Sequence, residues 1–296
     1  MRRVSAAEAG LEMHTWRVFK STKLSFARVL RLVFWPIFLL GITSCTISHA
    51  IRIDDGQRIG VEQMIAEVSN SPVVFVGEQH DVAAHHALQL DVIKGLHKTG
   101  KPLAIGVEMF VIDSQPALDN WIAGKIPEEK FVRVYQANWR NLKWGLYQEI
   151  FLFARDHGIP MVALNVPQQI VEKVAREGFL ALSKTDLRAL PAESTVPLTE
   201  ENFQFMTAHY PGHGKNSESF RHLCEAQALR NRVMAKTITR YLAHHPESSM
   251  VVLAGGAHAW SRGGIPAELG ELPYKVIIPP LPSAVELRGG ADYLLD

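Results

Sequence analysis

Five short runs of Val, Ile and Leu restrict the fold of this chain more than any other feature. They are Val73-Val-Phe-Val-Gly77, Leu103-Ala-Ile-Gly-Val-Glu-Met109, Met161-Val-Ala-Leu-Asn165, Met250-Val-Val-Leu-Ala-Gly255 and Tyr274-Lys-Val-Ile-Ile278. Each is apolar almost throughout rather than at alternate positions, as strands covered on both faces are. Helical spacing fills the intervals: Val61 to Val68, Ala83 to Lys98, Trp144 to His157 and a long stretch from Ser219 to His244. Two of these run into stop signals, Gly100-Lys-Pro102 and Gly158-Ile-Pro160. Strands alternating with helices predict an α/β domain with a mainly parallel sheet flanked by helices. From about Pro167 to Ala243 no strand pattern occurs, so this stretch reads as a helical insertion or lid over one end of the sheet. Gln115 to Tyr135 reads as a smaller helical insert, and the tail from Pro279 as irregular.

The first forty-odd residues have a different character. Arg2, Arg3, Arg17, Lys20, Lys23, Arg28 and Arg31 precede an apolar stretch, Leu32 to Ile42, that is short for a bilayer span and is broken by Pro36. It ends in Ile42-Thr43-Ser44-Cys45, which resembles a bacterial lipobox. The expectation is a signal peptide over residues 1–44, lipid (palmitate-type acyl chains) on Cys45, an anchor and linker over 45–70, and the α/β domain over 71–296. Thr46 follows the cysteine where Asp would signal inner-membrane retention, which favours the outer membrane. Lipidation of Cys45 leaves Cys224 alone, excluding a disulfide within the mature chain and a cysteine-based zinc site. Lys and Arg number 31 against 30 Asp and Glu, and the leader removes several cations, so nothing points to nucleic acid. Thirteen histidines point instead to metal or haem.

In parallel sheets, ligands bind outside the carboxyl ends of the strands. There this chain places Gly77-Glu78-Gln79-His80-Asp81, Glu108, Asn165 and Gly255-Gly-Ala-His258. Gly-x-x-His at two strand ends is the sharpest local feature: the glycine lets the backbone turn and the histidine then faces the cleft. Glu78, His80, Glu108 and His258 suit a divalent metal, a metal-free acid/base pair, or a hydrogen-bonded network without a reaction. His85 and His86 begin the next helix, about 100° apart, so at most one joins the site. Tyr135, Trp139, Trp144 and Tyr147 form a dense aromatic group, which reads as core packing or as a flat surface offering a tyrosine oxygen to a planar ligand. The break His209-Tyr210-Pro211-Gly212-His213-Gly214 reads as a surface turn or as a further place for haem or metal, with the turn preferred. Walker, dinucleotide, His-Glu-x-x-His and Gly-x-Ser-x-Gly motifs are absent.

Val73-Val-Phe-Val-Gly-Glu-Gln-His80, His85-His86, Gly106-Val-Glu-Met109, Leu118-Asp-Asn-Trp121, Trp139 with Trp144 and Tyr147, Arg230-Asn231 and Leu253-Ala-Gly-Gly-Ala-His258 together resemble the ChaN-like haem-binding lipoproteins. That family belongs to a wider superfamily with the Tiki metalloproteases and the erythromycin esterases. The resemblance implies an α/β core with a helical lid, an outer-membrane lipid anchor, and a role in haem and iron uptake. It implies haems stacked face to face in a homodimer, with a tyrosine on each iron. Carried onto this chain, the ligand is Tyr147 or Tyr135, with Tyr147 preferred, and Arg133 or Arg140 meets the propionates. The superfamily also implies a rival: a metal-dependent hydrolase using Glu78, His80, Glu108 and His258, with His80, Glu108 and His258 on the metal. Asn231, where the pattern expects an acid after Arg230, is a departure that bears on a catalytic role there.

Overall fold

The computed structural model describes residues 47–140, 142–209, 217–280 and 289–296. The leader, Cys45 and the turn at 210–216 lie outside the described residues. In chain order the strands are β1 (His49–Arg52), β2 (Arg58–Gly60), β3 (Val73–Glu78), β4 (Leu103–Val111), β5 (Met161–Asn165), β6 (Ser249–Gly255), β7 (Tyr274–Ile278) and β8 (Tyr293–Leu295). They form one sheet in the order β2-β1-β8-β7-β3-β6-β4-β5. From β8 to β5 every pairing is parallel, and β1 runs antiparallel to both β2 and β8.

The five apolar runs are thus the five adjacent strands β7, β3, β6, β4 and β5. Their continuity has a direct cause. In β3, Val74 and Val76 enter one hydrophobic layer while Val73 and Phe75 enter the other. In β6, Val251 and Leu253 alternate in the same way with Met250, Val252 and Ala254. With both faces covered, every position is apolar. The three remaining strands, β1, β2 and β8, are only three or four residues long. Such lengths carry no readable period, and β8 gives structure to a tail expected to be irregular.

The helices are α1 (Val61–Val68), α2 (Ala83–His97), α3 (Gln115–Ile122), α4 (Glu128–Asn138), α5 (Gln148–Asp156), α6 (Gln168–Glu177), α7 (Lys184–Arg188), α8 (Glu200–His209), α9 (Glu218–His244) and α10 (Gly256–Ala259). Helices α1 to α5 supply one layer, which contains Met64, Leu88, Trp121, Phe131, Tyr135 and Phe151. The opposite layer is built from α8 and α9 through Phe205, Phe220, Met234 and Ile238. The expected helix from Trp144 to His157 is divided: a 3-10 turn over Trp144–Leu146 gives way to α5 at Tyr147. Tyr147 stands between the two, at φ −110°, and its ring is fully buried in the core. Among the described residues no helix is long and apolar enough to cross a membrane.

Candidate functional site

The carboxyl ends of β3, β4, β5 and β6 open onto a cleft of about 1010 Å³, lined by Glu78, His80, Glu108, Asn165, Arg230, Gly255 and His258, with Trp139 and Arg140 on one wall. Two local devices shape it. The β4–β5 register shifts between Val107 and Val111, so Glu108 sits in a bulge that re-aims its side chain. Gly255 ends β6, and a Cβ there would stand 2.9 Å from His80 Cε1, so only glycine admits the imidazole this close.

Glu78 is 3% exposed and organises one half of the site. Its Oε1 accepts from His80 Nδ1 at 2.7 Å and from the Tyr147 hydroxyl. Its Oε2 accepts from Gln89 Nε2 at 2.7 Å and lies 3.3 Å from His86 Nδ1. Burial works against the charge, but the bonds from His80 and His86 outweigh it and hold the carboxyl at about 2.

His86 is the counter-charge. Its Nε2 faces the His80 carbonyl at 3.1 Å, and its Nδ1 faces Gln89 Oε1 at 3.1 Å. The Gln89 amide is oriented by Nε2, which donates to both Val76 O and Glu78. Every partner of the His86 ring is therefore an acceptor, and both ring nitrogens carry protons. Burial opposes that charge, and Glu78 overrides it to raise the pKa of the ring. His85 turns away and accepts from the Gln79 N–H at 3.0 Å, so of the two adjacent histidines His86 alone meets Glu78.

His80 is oriented differently. Its Nδ1–H points into Glu78, and its Nε2 makes no hydrogen bond among the described residues. The side chain is 39% exposed and meets Trp139 edge to face at 5.1 Å. Burial pulls its pKa down, and Glu78 and Glu108 more than compensate, leaving the imidazole more basic than usual.

Glu108 organises the other half. Its Oε1 accepts from Arg230 Nη2 at 2.8 Å, and its Oε2 from the Gly255 N–H at 2.7 Å. Arg230 also donates through Nε to Asn165 Oδ1 at 3.1 Å. Asn231 donates to the Gly263 carbonyl, so its Oδ1 is left to accept from His258 Nδ1 at 2.5 Å. Burial depresses His258 to about 3, leaving a neutral ring whose Nε2 lies 3.5 Å from Glu108 Oε1. An amide, unlike the expected acid, fixes the tautomer of His258 without drawing a second proton onto it.

The structure therefore brings Glu78, His80, Glu108 and His258 into one cleft but divides them between two hydrogen-bonded sets. Among the described residues no group of three or more His, Cys, Asp or Glu side chains is placed to hold a metal ion, so the expected divalent site has no support. The physical reason is saturation: both carboxylates are already occupied by protein donors, and His86 neutralises Glu78 internally. Tyr135 and Tyr147 are each 0% exposed, and neither lines the cleft. Tyr147 donates to Glu78, whereas the Tyr135 hydroxyl and the Trp139 indole N–H are buried without a partner among the described residues. The aromatic group is core rather than surface: Trp121, Phe131, Tyr135 and Phe151 are stacked and edge-packed on one another. Arg133 pairs with Glu129 on the exterior, while Arg140 is exposed at the cleft wall. Gln89, which completes the Glu78 set, escaped the sequence reading. On α9, Gln227, Arg230 and Asn231 fall at i, i+3 and i+4 and so share a helix face, a spacing that the sequence does carry.

Comparison with known proteins places these features in a family context. The sequence model of the family described as haem-binding uptake, Tiki superfamily, ChaN matches residues 64–269. A solved structure of ChaN of Campylobacter jejuni, described as binding haem cofacially, superposes with a TM-score of 0.65 at 21% identity, over 83% of this chain and 95% of that one. The type III effector HopBA1 superposes with a TM-score of 0.50 at 14% identity, over 79% of this chain and 91% of that one. Protein RETICULATA-RELATED 5, chloroplastic, of Arabidopsis thaliana is 22% identical over 220 residues, 68% of this chain. The chain spans only 29% of that plant protein's length. At these identities the structural likenesses establish the fold.

Proposed function

The chain belongs to the haem-binding uptake family of the Tiki superfamily, ChaN, and from that premise we propose that it binds haem at the carboxyl-end cleft and serves haem and iron uptake. The observation that carries this reading is coincidence of place: every residue lining the cleft falls within the matched span 64–269. The chemistry of the lining fits a porphyrin. Met109, Val111, Leu142, Val166 and Val171 offer apolar contact, and Arg140 and Arg230 offer cations to propionates. Bound haem supplies a ferric centre and a large apolar surface. Tyr147 and Tyr135, the ligands implied by family resemblance, reach iron only after leaving the core.

In the same proposal, residues 1–44 are a cleaved leader, lipid on Cys45 holds the protein to the outer membrane, and two protomers meet around two haems. The test is haemin titration followed by absorbance and sedimentation. A saturable spectrum with a shift toward dimer supports the reading; a linear, unsaturable signal sinks it. A second reading, hydrolysis, is favoured by one observation: His80, with Nδ1–H on Glu78 and Nε2 facing the cleft, is oriented as a general base. His80→Ala would then abolish turnover of an ester or amide panel, and a panel untouched by the parent protein ends that reading.

A further inference from the structure

We propose that His97 and His157 form a second binding site, at the amino end of the sheet, for a divalent transition-metal ion that prefers imidazole nitrogen, copper(II) most tightly. The site is separate from the cleft and independent of the haem reading. Its position follows from two neighbouring units of the chain that close in the same way. His97 ends α2, Gly100 turns the backbone at φ +78°, and Pro102 leads into β4. His157 caps α5, Gly158 turns the backbone at φ +63°, and Pro160 leads into β5. Because β4 and β5 are adjacent and parallel, the two helix ends come together at the opposite end of the strands from the cleft.

Three observations point to an ion. The ring centres of His97 and His157 lie 5.1 Å apart, with an interplanar angle of 76°. Two imidazoles on one ion, bound at about 2.0–2.1 Å, have ring centres about 4.5–5 Å apart, so the pair already stands near that spacing. Second, His157 is held in a ligating tautomer. Its Nδ1 lies 2.9 Å from the Phe153 carbonyl, which can only accept, so Nδ1 carries the proton and Nε2 keeps its lone pair. Metal-bound histidines nearly always give their other N–H to such a partner. The His157 ring also stacks on Phe153 at 4.0 Å, and His97 meets the same phenyl edge to face at 5.8 Å, so both rings are positioned by packing. Third, donor atoms remain open: among the described residues neither the His97 ring nor His157 Nε2 makes a hydrogen bond, and solvent reaches both side chains. The carbonyl ends of α2 and α5 each bring roughly half a negative charge to this point. That opposes the repulsion from Lys94, whose ammonium stands over the Phe153 ring, 5.7 Å from its centre. On binding, His157 Nε2 and one nitrogen of His97 each give a lone pair to the ion, two waters leave it, and any proton on those nitrogens passes to solvent. The oxidation state of the ion does not change. Water fills the remaining positions, so the ion exchanges, unlike one in a closed four-ligand centre. Copper(II) stands above nickel and zinc in the order of divalent affinities.

The experiment uses the full chain in detergent with copper(II) chloride alone as the probe. Equilibrium dialysis counts the ions, and pulsed electron paramagnetic resonance counts the imidazoles on each. The chains compared are the parent, His97→Ala, His157→Phe, the double variant and His80→Ala. His157→Phe keeps the stack on Phe153 and removes the nitrogen, so a loss there is a loss of ligation and not of packing. The expected result is one more ion on the parent than on the double variant, carrying two imidazoles. Each single variant loses one imidazole from that ion and binds it more weakly, while His80→Ala matches the parent. Zinc(II) should raise the melting temperature of the parent above that of the double variant, because an ion bound to the native pair favours the folded state. Equal copper content, or an equal zinc shift, in the parent and the double variant overturns the site. So does a two-imidazole signal that survives in His157→Phe or disappears in His80→Ala, which would place the ion elsewhere. If circular dichroism shows His97→Ala to be unfolded, His97→Phe takes its place, since it keeps an aromatic ring against Phe153.

Discussion

Glu78 receives four donors, and removing it costs more than removing any one of them. Glu78→Gln leaves the His86 imidazolium buried without its counter-charge, a change that costs about 3–5 kcal/mol. Tyr147→Phe deletes one hydrogen bond to an ionised acceptor and opens no cavity, so it costs about 1.5–3 kcal/mol. Urea unfolding of the two variants should rank them in that order; equal losses would mean that His86 is neutral and that its proton inventory is wrong. The same comparison shows what a sequence can convey about a site. Glu78, His80, Glu108 and His258 were legible because each follows an apolar strand. That Glu78 is capped by Tyr147, 69 residues on, was not legible, because nothing local to either residue records the contact. Asn231 was noticed only as a departure from an acidic pattern. Its physical effect, holding His258 neutral, needs the position of the Gly263 carbonyl, which orients the amide.

Elements at the two edges of the sheet are secured by side chains rather than by more strands. Beyond β5 the unpaired edge is answered by Gln115 of α3, which donates to Met161 O and accepts from Ala163 N, both at 2.8 Å. One amide thus imitates a residue of a neighbouring strand and blunts an edge that would otherwise invite pairing. Gln115→Ala is expected to cost about 1–3 kcal/mol for two hydrogen bonds and to quicken hydrogen exchange at Ala163 above that at central β6. Unchanged exchange there would refute the staple. On the far side, Glu67 of α1 binds Arg52 of β1 and accepts from Tyr293 Oη of β8 at 2.7 Å. The Arg52 bonds, followed by the tyrosine bond, hold Glu67 at about 2 against an ordinary 4.5. With the folded value below the unfolded one, this stabilisation is complete above pH 4.5 and disappears as pH falls through 2. Glu67→Gln should therefore flatten the acid limb of a stability–pH curve between those limits while lowering the neutral plateau. The central strands were legible because double burial makes them continuously apolar. Strands β1, β2 and β8 were not, because they are three or four residues long and β1 meets β8 only across the whole length of the domain.

For the molecule as a whole, the proposed anchor and the sheet are linked by very little chain. Between Cys45 and β1 stand Thr46, Ile47 and Ser48, so the lipid-bearing atom and His49 are joined by four residue steps, an extended reach of about 13–14 Å. An anchor on Cys45 would therefore keep the β1–β8 side of the sheet at the membrane surface. A long flexible stalk would leave the domain's orientation open, and this tether does not. Cys45→Ser removes the proposed acyl acceptor and leaves every side chain of the two hydrophobic layers in place. The expected outcome is a protein that moves from the membrane to the soluble fraction, stops incorporating labelled palmitate, and retains the parent's haemin spectrum and melting temperature. A variant that stays with the membrane would dismiss the lipid anchor. One that becomes soluble but loses the haemin spectrum would mean that membrane apposition helps to assemble the haem site, and that the cleft described by β3, β4 and β6 is only part of it.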